Sequence, residues 1–511
     1  MRRNRKKSKS STVQTQQFDY TGFKLDTSLD GNVQMFRQIF NNDETLVARF
    51  LENQLKPAIK CCILFIDGMI DNKIVDEHVI MPIMQNNELS NADDIIGSLQ
   101  SQIVFINQTE RTPDVEKLWM AIVQGDTVLL IEGLQEGLSL STKGWKSRST
   151  SEPLSERMNR GPREGFTESI YDNLTLIRRR VKTPALKMRF ITIGVQTNTN
   201  VCICYIDGIV NQKILDELFR RLKSIHPDGI QDSGYIRELI QDSPLSPFDT
   251  IGDTERPDTA AGKLLEGRIA LLVDGSPVVL ILPFVFQEIF QVSEDYYLNF
   301  YFASIGRILR VLSFFITVSV PAIYLALVTY HQETIPTPLL LSISAARQGV
   351  PFQTIVEVSL MLIVFEILRE TGVRMPYHVG QALSIVGALV LGTASVDAKI
   401  VSAPIVIVIS ITAITGLSIP GIKSAVITLR LIFLLLASFL GLYGYVFGLI
   451  GLLLHLCEMR SFGVPYMLHF TTLDPSDLRD TAIRAPLWML NYRSELITNN
   501  RLRQRIRGKR K

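Results

Sequence analysis

Two similar stretches of sequence decide the fold of the first half of the chain. FIDGMIDNKIVDE runs from Phe65 to Glu77, and YIDGIVNQKILDE runs from Tyr205 to Glu217. Both contain Ile, Asp, Gly, Lys, Ile, Asp and Glu at the same spacing, so that Asp67 aligns with Asp207. A match of this kind at one fixed offset indicates an internal duplication.

Each copy is predicted to be a small α/β subdomain. The apolar runs CCILFI and VCICYI, which precede the two Asp-Gly pairs, are typical of buried strands. The residues after each pair have the 3.6-residue period of an amphipathic helix. Two further strands around a glycine turn are predicted in Ala121–Ile131 and in Ile269–Leu282. The sequence therefore predicts α/β subdomains over residues 31–140 and 185–300.

Residues 141–184, between the two copies, are predicted to be a linker. They begin with STKGWKSRSTSEPLSERMNRGPREGF (Ser141–Phe166), which is rich in Ser, Gly, Pro and Arg. Its many paired charges are unusual for a spacer. Residues 1–30 begin with the basic sequence MRRNRKKSKS, which no apolar segment follows. They are predicted to be a flexible basic tail and not a secretory signal.

The composition excludes both a disordered chain and a uniformly soluble one. The 511 residues include 53 Lys and Arg against 50 Asp and Glu, a formal net charge of +3. This balance argues against a nucleic-acid-binding surface. Hydrophobic residues make up an ordinary 46% of the chain, yet the mean hydropathy is +0.19. The apolar residues are therefore concentrated, and they lie between Arg310 and Arg460.

No group of residues has the spacing of a catalytic, cofactor-binding or metal-binding site. The five cysteines include no C-x-x-C pair and are interpreted as small buried residues. The six histidines are scattered, and no phosphate-binding glycine motif or nucleophile elbow is present. Asp67-Gly68 and Asp207-Gly208 are interpreted as turns. We therefore expect neither enzyme activity nor a cofactor.

Residues 301–460 are predicted to form a helical membrane domain. At 1.5 Å per residue, a helix over Ile308–Tyr330 is long enough to cross about 30 Å of hydrocarbon, with a kink at Pro321. Further apolar segments follow it, which makes five in total. They are Ile355–Leu368, Val379–Val396, Ile400–Ile419 and Ala425–Cys457.

The positive charges favour the cytoplasmic side for both ends of this domain. Arg307 and Arg310 lie at the start of the first segment, and the C-terminal tail, residues 461–511, ends in RLRQRIRGKRK. Five crossings would place the two ends on opposite sides. We therefore expect either that Ala425–Cys457 forms a tight hairpin or that one segment is re-entrant.

Ionisable residues at membrane depth are the candidates for a polar path, because burying them is costly. Glu357 follows Thr354 at the spacing of a capping box, so it is either a helix cap or part of the path. Glu366 lies deeper, which makes it the better candidate. In a regular helix Glu357 and Glu366 face opposite sides, so they cannot both line one pore wall. Three more charges follow at the spacing of helical ion pairs: Arg369, Glu370 and Arg374.

The remaining candidates lie in a turn or on the last apolar segment. Asp397 and Lys399 occupy a short turn, either as the charged rim of an opening or as a solvated loop, and Arg430 is expected to snorkel to an interface. Small residues that allow close helix packing, within the chain or between subunits, recur at helical spacing. They are Gly441, Gly444, Gly448 and Gly451.

Together these motifs resemble the A-subunit family of bacterial spore germinant receptors, the GerA-type proteins. SEPLSERMNRGPREGF in the linker, followed by NLTLIRRR, is similar to the family's signature between its two soluble subdomains. EGRIALLVDGSP (Glu266–Pro277) and EDYY (Glu294–Tyr297) are similar as well. In the apolar half, PFQTIVE, FEILRETGVRMP, IVGALVLGTASV, VSAPIVIVI and HLCEMRSFGVPY match the family pattern.

The resemblance implies a receptor subunit in the spore inner membrane, with its N-terminal domain facing the spore core. Such A subunits work with a transporter-like B subunit and a lipoprotein C subunit, and they form homo-oligomers that serve as germinant-gated ion conduits among the membrane lipids. The soluble domain would serve assembly and coupling, and no nucleic-acid partner is expected. The candidate coupling motif comprises Glu152, Arg160, Gly161, Pro162, Glu164, Arg178, Arg179 and Arg180.

Other functions are weighed against this one. A paralogous accessory subunit of the spore dipicolinic-acid release channel shares the linker and membrane motifs. A stand-alone secondary transporter would be expected to show inverted repeats, which we do not find in the sequence. A membrane-tethered enzyme would need a nucleophile with its base, or a metal set, and the sequence offers neither.

Overall fold

The computed structural model describes residues 22–53, 59–85, 95–100, 104–106, 108–144, 153, 156, 158, 160–375, 387, 390–468, 480, 481, 483–490, 492–500 and 503. The chain divides into two compact units. The α/β unit comprises Met1–Ile240, Ile251–Pro283 and Asn491–Lys511. The helical unit comprises Gln241–Thr250 and Phe284–Leu490.

The first sheet of the α/β unit is antiparallel and has the strand order β1-β2-β4-β5-β3. Its strands are β1 (Leu46–Glu52), β2 (Lys60–Ile66), β3 (Thr109–Thr112), β4 (Thr127–Ile131) and β5 (Gly137–Leu140). The helices in the same stretch of chain are α1 (Leu29–Ile39), α2 (Asn72–Val75), α3 (Met81–Gln85), α4 (Ile95–Ser98) and α5 (Val115–Val123), with a π-helical turn at Asp76–Ile80.

The second sheet, also antiparallel, has the order β6-β7-β9-β10-β8, which is the order of the first sheet repeated. Its strands are β6 (Leu186–Ile193), β7 (Thr199–Ile206), β8 (Gly252–Thr254), β9 (Ile269–Val273) and β10 (Val279–Leu282). Its helices are α6 (Ile170–Arg180), α7 (Gln212–Ser224), α8 (Ser233–Ile240) and α9 (Pro257–Leu265).

The repeated sequence motif occupies the same place in both sheets. Its apolar runs form β2 and β7, which lie second in each sheet and are buried over most of their length. The turns that follow place Gly68 and Gly208 at φ 80° and 74°, which glycine adopts without a steric penalty. The next helices begin at the equivalent residues Asp71 and Asn211, whose side chains accept hydrogen bonds from the first helical amides.

Part of the predicted linker is a helix. Ile170–Arg180 forms α6, because its apolar residues recur at helical spacing and Ser169 caps its first turn. Leu174 and Ile177 pack in one core with Ala260 and Leu264 of α9. The region between the repeats is therefore structured at its C-terminal end.

A short helical stretch covers residues 390–397, and five helices of ten or more residues lie among the described residues of the helical unit. They are α10 (Phe300–Tyr330), α11 (Thr337–Ala346), α12 (Thr354–Arg374), α13 (Ala403–Leu417) and α14 (Lys423–Glu458). A short hairpin, β11 (Arg460–Ser461) with β12 (Val464–Pro465), follows α14. In the described residues, α10 and α14 are long and apolar enough to cross a membrane.

Helix α14 is a hairpin of two helical arms. Gly441 has φ 62° and ψ −140°, which interrupts the helix and favours glycine. Across this break the ring centroids of Phe433 and Tyr445 are 5.6 Å apart, whereas twelve residues of one straight helix would separate them by about 18 Å. The arms before and after Gly441 therefore lie against each other.

The predicted segments and boundaries differ from the structure in several places. Helix α10 begins at Phe300 instead of Ile308, and Val379–Val396 lies largely outside the described residues. The compact units divide after Pro283, whereas the sequence placed this boundary after residue 300. Residues 461–511 were predicted to be a tail, but residues up to Leu490 belong to the helical unit and Asn491–Lys511 belongs to the α/β unit.

The predicted N-terminal tail is also shorter in the structure. Lys24 forms a β-bridge with Asp114, and Leu25 is buried. Helix α1 begins at Leu29, with Ser28 as its cap. Residues 22–30 are therefore part of the α/β unit, while residues 1–21 lie outside the described part of the chain.

Candidate functional site

Glu357 connects three segments of the helical unit. Its side chain is fully buried in the first turn of α12. Oε2 accepts hydrogen bonds from the backbone N–H and the hydroxyl of Ser402, both at 3.0 Å, and Oε1 lies 3.5 Å from Nη2 of Arg347. Ser402 is the N-cap residue of α13. The predicted capping box with Thr354 is wrong, because Gln353 is the N-cap of α12 and that helix has no side-chain cap.

Glu366 lies at the centre of an ion cluster between α12 and α14. It pairs with Arg369 on its own helix and with Arg430 of α14. The side chain of Arg430 is only 6% exposed, so Arg430 does not snorkel as predicted. It turns inward because Glu366 offers it a carboxylate, which offsets the cost of removing a cation from water. Two arginines share one carboxylate here.

A cavity adjoins this ion cluster. Its polar and charged lining residues are Thr317, Arg369, Thr412, Lys423 and Arg430. The hydroxyls of Thr317 on α10 and Thr415 on α13 are 2.7 Å apart. Helices α10, α12, α13 and α14 thus each bring polar side chains to one place inside the helical unit, which is what a polar path requires.

A second ion cluster lies at the start of α10. Arg307 is fully buried, with Nε 2.8 Å from Asp295 Oδ2 and Nη1 2.7 Å from Asp480 Oδ1. Arg310 Nη2 lies 2.6 Å from Asp295 Oδ2. The hydroxyl of Tyr296 donates to Asp480 Oδ2 at 2.7 Å. Two arginines and two aspartates are therefore held together by charge-assisted hydrogen bonds.

The other predicted path residues do not join these clusters. Glu370 and Arg374 pair with each other at 2.7 Å, and both side chains are exposed. Asp397 is exposed at the end of a helical stretch, and Lys399 is exposed in the turn between that stretch and α13. The position of Lys399 fits the interpretation of a solvated loop. The structure thus separates Glu366 and Arg369, in the cluster, from the remaining charges of α12.

The glycine stripe contributes to packing between the two arms of α14. A Cβ atom on Gly444 would overlap the carbonyl oxygen of Leu436, and one on Gly448 would lie 2.9 Å from Leu436 Cδ1 and 3.0 Å from Phe433 Cε1. Gly451 has no atom close enough to meet such a Cβ. Contacts within the chain therefore account for Gly444 and Gly448.

The predicted coupling motif is divided between two sets of contacts in the α/β unit. Glu164 pairs with Arg180 at 2.7 Å and with Arg179 at 3.4 Å. Arg178 is buried and pairs with Asp43 at 2.6 Å, which attaches α6 to the segment before β1. Three other members lie near the surface: Arg160 and Gly161 are exposed, and Pro162 is half-buried. Glu152 lies outside the described residues.

The signature segment also contacts the second sheet. Pro162 accepts a hydrogen bond from Arg256 through its carbonyl oxygen. The carboxylate of Glu156 accepts from the Thr254 hydroxyl at 2.7 Å and from the Glu255 amide at 3.1 Å. Burial raises the pKa of Glu156 to about 7. This part of the predicted linker therefore lies against β8 and the start of α9.

Four of the five cysteines are buried, as the sequence indicates, and the fifth is exposed. Cys61, Cys62, Cys202 and Cys204 are buried in the sheets and Cys457 is exposed, all as free thiols. Burial raises the pKa of Cys61 to about 11 and that of Cys62 to about 12, so neither is a reactive thiolate at neutral pH. Among the described residues no group of His, Cys, Asp and Glu has the arrangement of a metal site.

Comparison with known proteins identifies the family. A family model described as the Bacillus/Clostridium GerA spore germination protein matches residues 34–496. The chain belongs to the GerA family.

The curated relatives of this GerA-family chain extend over most of its length. Spore germination protein KA of Bacillus subtilis (strain 168) is 40% identical over 93% of this chain and 87% of its own length. Spore germination protein GerLA of Bacillus cereus is 39% identical over 86% of this chain and 89% of its own. A crystal structure of the N-terminal domain of the A subunit of the Bacillus megaterium spore germinant receptor GerK3 is 33% identical, covers 52% of this chain and 98% of that domain, and has a TM-score of 0.42.

Several residues that contact Glu357 and Arg307 in this GerA-family chain are not predicted from the sequence. Asp295 lies in the quoted EDYY motif and was not linked to Arg307. The sequence does not point to Ser402 or Asp480, because each contacts a residue that is distant along the chain: Ser402 contacts Glu357, and Asp480 contacts Arg307. Charge complementarity at helical spacing detects only neighbours within a helix, such as Glu366 and Arg369.

Proposed function

We propose that this chain is the A subunit of a nutrient germinant receptor in the spore inner membrane. In this proposal it forms homo-oligomers with a germinant-gated ion conduit and works with a transporter-like B subunit and a lipoprotein C subunit. Its α/β unit faces the spore core and serves assembly and signal coupling. The chain carries out no catalytic step. Membership of the GerA family supports the receptor role.

The observation that carries the conduit part of the proposal is the ion cluster of Glu366 with its adjoining cavity. Charged groups inside apolar helices are costly and are retained mainly where they serve a pathway. Here Arg369, Arg430 and Lys423 meet hydroxyls of Thr317 and Thr412 around one cavity. A conduit would use the hydroxyl oxygens and the carboxylate of Glu366 to replace part of the hydration of a passing cation.

The α/β unit supports a coupling role through its long-range ionic contacts. Arg178 and Asp43 are separated by most of the first subdomain in sequence, yet both are buried in one ion pair. The two sheets have the same strand order, and the signature segment lies against the second one. This arrangement suits a module that transmits a conformational change and carries out no reaction. We attribute the shared order to gene duplication.

Replacing Glu366 tests the conduit. Glu366→Gln keeps the shape of the side chain but leaves Arg369 and Arg430 without their carboxylate. In spores that carry only this receptor, the rate of cation release after nutrient addition should change on the order of tenfold, which corresponds to about 1.4 kcal/mol. Protein level should stay normal. Glu370→Gln, on the exposed face of the same helix, is the matched control and should leave release unchanged.

The same spores separate the receptor from the alternatives. Cation release and dipicolinic-acid release are recorded separately for single nutrients. A change in cation release that comes first supports a germinant-gated conduit. Altered dipicolinic-acid release with normal cation release would instead indicate the accessory channel subunit. Unchanged release of both in Glu366→Gln would contradict a conduit at this cluster.

A further inference from the structure

The two subdomains differ at one equivalent position, the edge just after the Asp-Gly turn. In the first subdomain Ile70 forms an antiparallel β-bridge with Lys143. The amide of Gly144 donates to the Met69 carbonyl at 3.2 Å, and the amide of Asp71 donates to the Thr142 carbonyl at 2.9 Å. This edge is therefore covered by the chain that continues directly from β5.

In the second subdomain the equivalent edge is covered by a remote segment. Val210, the counterpart of Ile70, forms an antiparallel bridge with Thr498. The amide of Asn499 donates to the Ile209 carbonyl at 3.0 Å, as Gly144 does to Met69. The chain that follows β10 cannot cover this edge in the same way, because from Phe284 it belongs to the helical unit.

The remote segment has the contacts of a bound peptide. Ile497 and Thr498 are both only 3% exposed. Asn211 Nδ2 donates to the carbonyl of Leu496 at 3.2 Å, and the Thr498 hydroxyl donates to the carbonyl of Ile209. The segment turns at Ser494, whose carbonyl accepts from the amide of Thr498 at 3.2 Å. One apolar anchor, one hydrogen bond between backbone groups and two from side chains to backbone carbonyls hold residues 496–499 in place, as in other cases of peptide recognition.

A glycine makes room for the segment, and an ion pair fixes its end. A Cβ atom on Gly267 would lie 2.8 Å from Thr498 Cβ, so the close approach of the segment requires a glycine there. Arg503 Nη2 lies 3.0 Å from Glu266 Oε1, and Arg493 Nε donates to the Leu265 carbonyl at 2.6 Å. The end of α9 therefore binds basic residues on both sides of Thr498.

We propose that residues 209–211, together with Glu266 and Gly267, form a docking slot for a basic peptide, that residues 496–499 of the same chain occupy it, and that this occupant is exchangeable. The first subdomain holds its occupant through direct covalent continuity. The second holds a segment that arrives after the whole helical unit, so docking there depends on the contacts of the segment itself. A free peptide of the same sequence can therefore compete for the slot.

Cysteine cross-linking in the full-length protein tests the occupant. Antiparallel bridge partners have Cα atoms about 4.5–5.5 Å apart, which suits a disulfide. Val210→Cys with Thr498→Cys, on a Cys457→Ser background in isolated membranes, should form an intramolecular disulfide under mild oxidation. The single-cysteine variants are the controls. A cross-linked dimer would overturn docking within one chain, and no cross-link beyond the controls would overturn the slot.

Two matched comparisons test the anchor and the exchange. Ile497→Asp places a charge in the buried anchor and should lower the cross-link yield about tenfold, whereas Leu496→Asp, at an exposed side chain, should leave it unchanged.

A synthetic peptide of residues 491–503, at about millimolar concentration to match a tethered segment, should lower the cross-link yield of the Val210→Cys, Thr498→Cys protein. The Ile497→Asp peptide should not. Equal yields with both peptides would overturn the exchangeable occupant.

Discussion

Both units bury an arginine completely, but they surround it with different charges. In the α/β unit Arg178 has one carboxylate partner, Asp43, and buried Lys187 lies close to the same carboxylate. In the helical unit Arg307 and Arg310 meet two carboxylates, Asp295 and Asp480. Each of the two arginines in the helical cluster is thus paired with a carboxylate, whereas the ammonium of Lys187 donates to the backbone carbonyls of Phe40 and Pro184.

This difference shows how each unit adjusts to burial. Removing ions from water is costly, and pairing each cation with a carboxylate recovers part of that cost. Lys187 can avoid the cost of burying its charge by releasing a proton, and burial lowers the pKa of Lys187 to about 8. We therefore expect the helical cluster to hold its segments together rigidly. The stability of the α/β cluster is expected to depend on pH.

The largest expected effect is a loss of stability at the helical cluster around Arg307. Arg307→Met leaves Asp480 without its arginine and Asp295 with Arg310 alone, so local stability should fall by about 3–5 kcal/mol. Hydrogen exchange of α10 amides in the detergent-solubilised full chain measures this loss. Arg374→Met, which breaks an exposed pair, should cost less than about 1 kcal/mol. Similar losses in the two variants would contradict the distinction between buried and exposed pairs.

A smaller loss is expected in the α/β unit. Arg178→Met removes the partner of Asp43, but Asp43 Oδ1 keeps hydrogen bonds from the amide and hydroxyl of Thr45, at 3.0 and 2.9 Å. The cost should therefore lie near the lower end of the range, about 3 kcal/mol, and appear as faster exchange in α6 and β1. Arg220→Met, at the surface, should leave these rates unchanged. A loss greater than that of Arg307→Met would reverse the comparison.

The last expected effect is a dependence of stability on pH. The pKa of Lys187 in the folded chain, about 8, lies below its ordinary value of 10.5. The cost of burying the ammonium is constant below pH 8 and is relieved as the pH rises towards 10.5, so this group makes stability rise with pH over that window. In denaturant unfolding of the full chain, Lys187→Met should show a flatter profile there. Parallel profiles would show that Lys187 does not titrate in this way.

The repeated elements were predictable, and their connections were not. β2 and β7 followed from continuous apolar runs before Asp-Gly, because a strand buried on both faces must be apolar throughout. The edge strands β3 and β8 carry polar residues such as Glu110 and Asp253, so their sequences lack that signal. Helix α6 was assigned to the linker because the Ser, Gly and Pro content of residues 141–166 outweighed the apolar period that follows.

The candidate site was predictable residue by residue but not as an arrangement. The cost of burying charge singled out Glu357 and Glu366 from the sequence. Their partners Ser402 and Arg430 lie on other helices, and only the packing of those helices brings them together. The glycines of α14 were visible too, but Gly441 as the point of reversal was not distinguishable from Gly444, Gly448 or Gly451, since positive φ depends on the final fold.

The reversal at Gly441 has a consequence for how the chain is threaded through lipid. Because the arms of α14 are antiparallel, they cross the lipid bilayer either twice, in opposite directions, or not at all. The compartment that holds Lys423 is then also the compartment that holds Glu458 and the polypeptide beyond it. Whatever the earlier helices do, this glycine returns the C-terminal segment to the side from which the hairpin started.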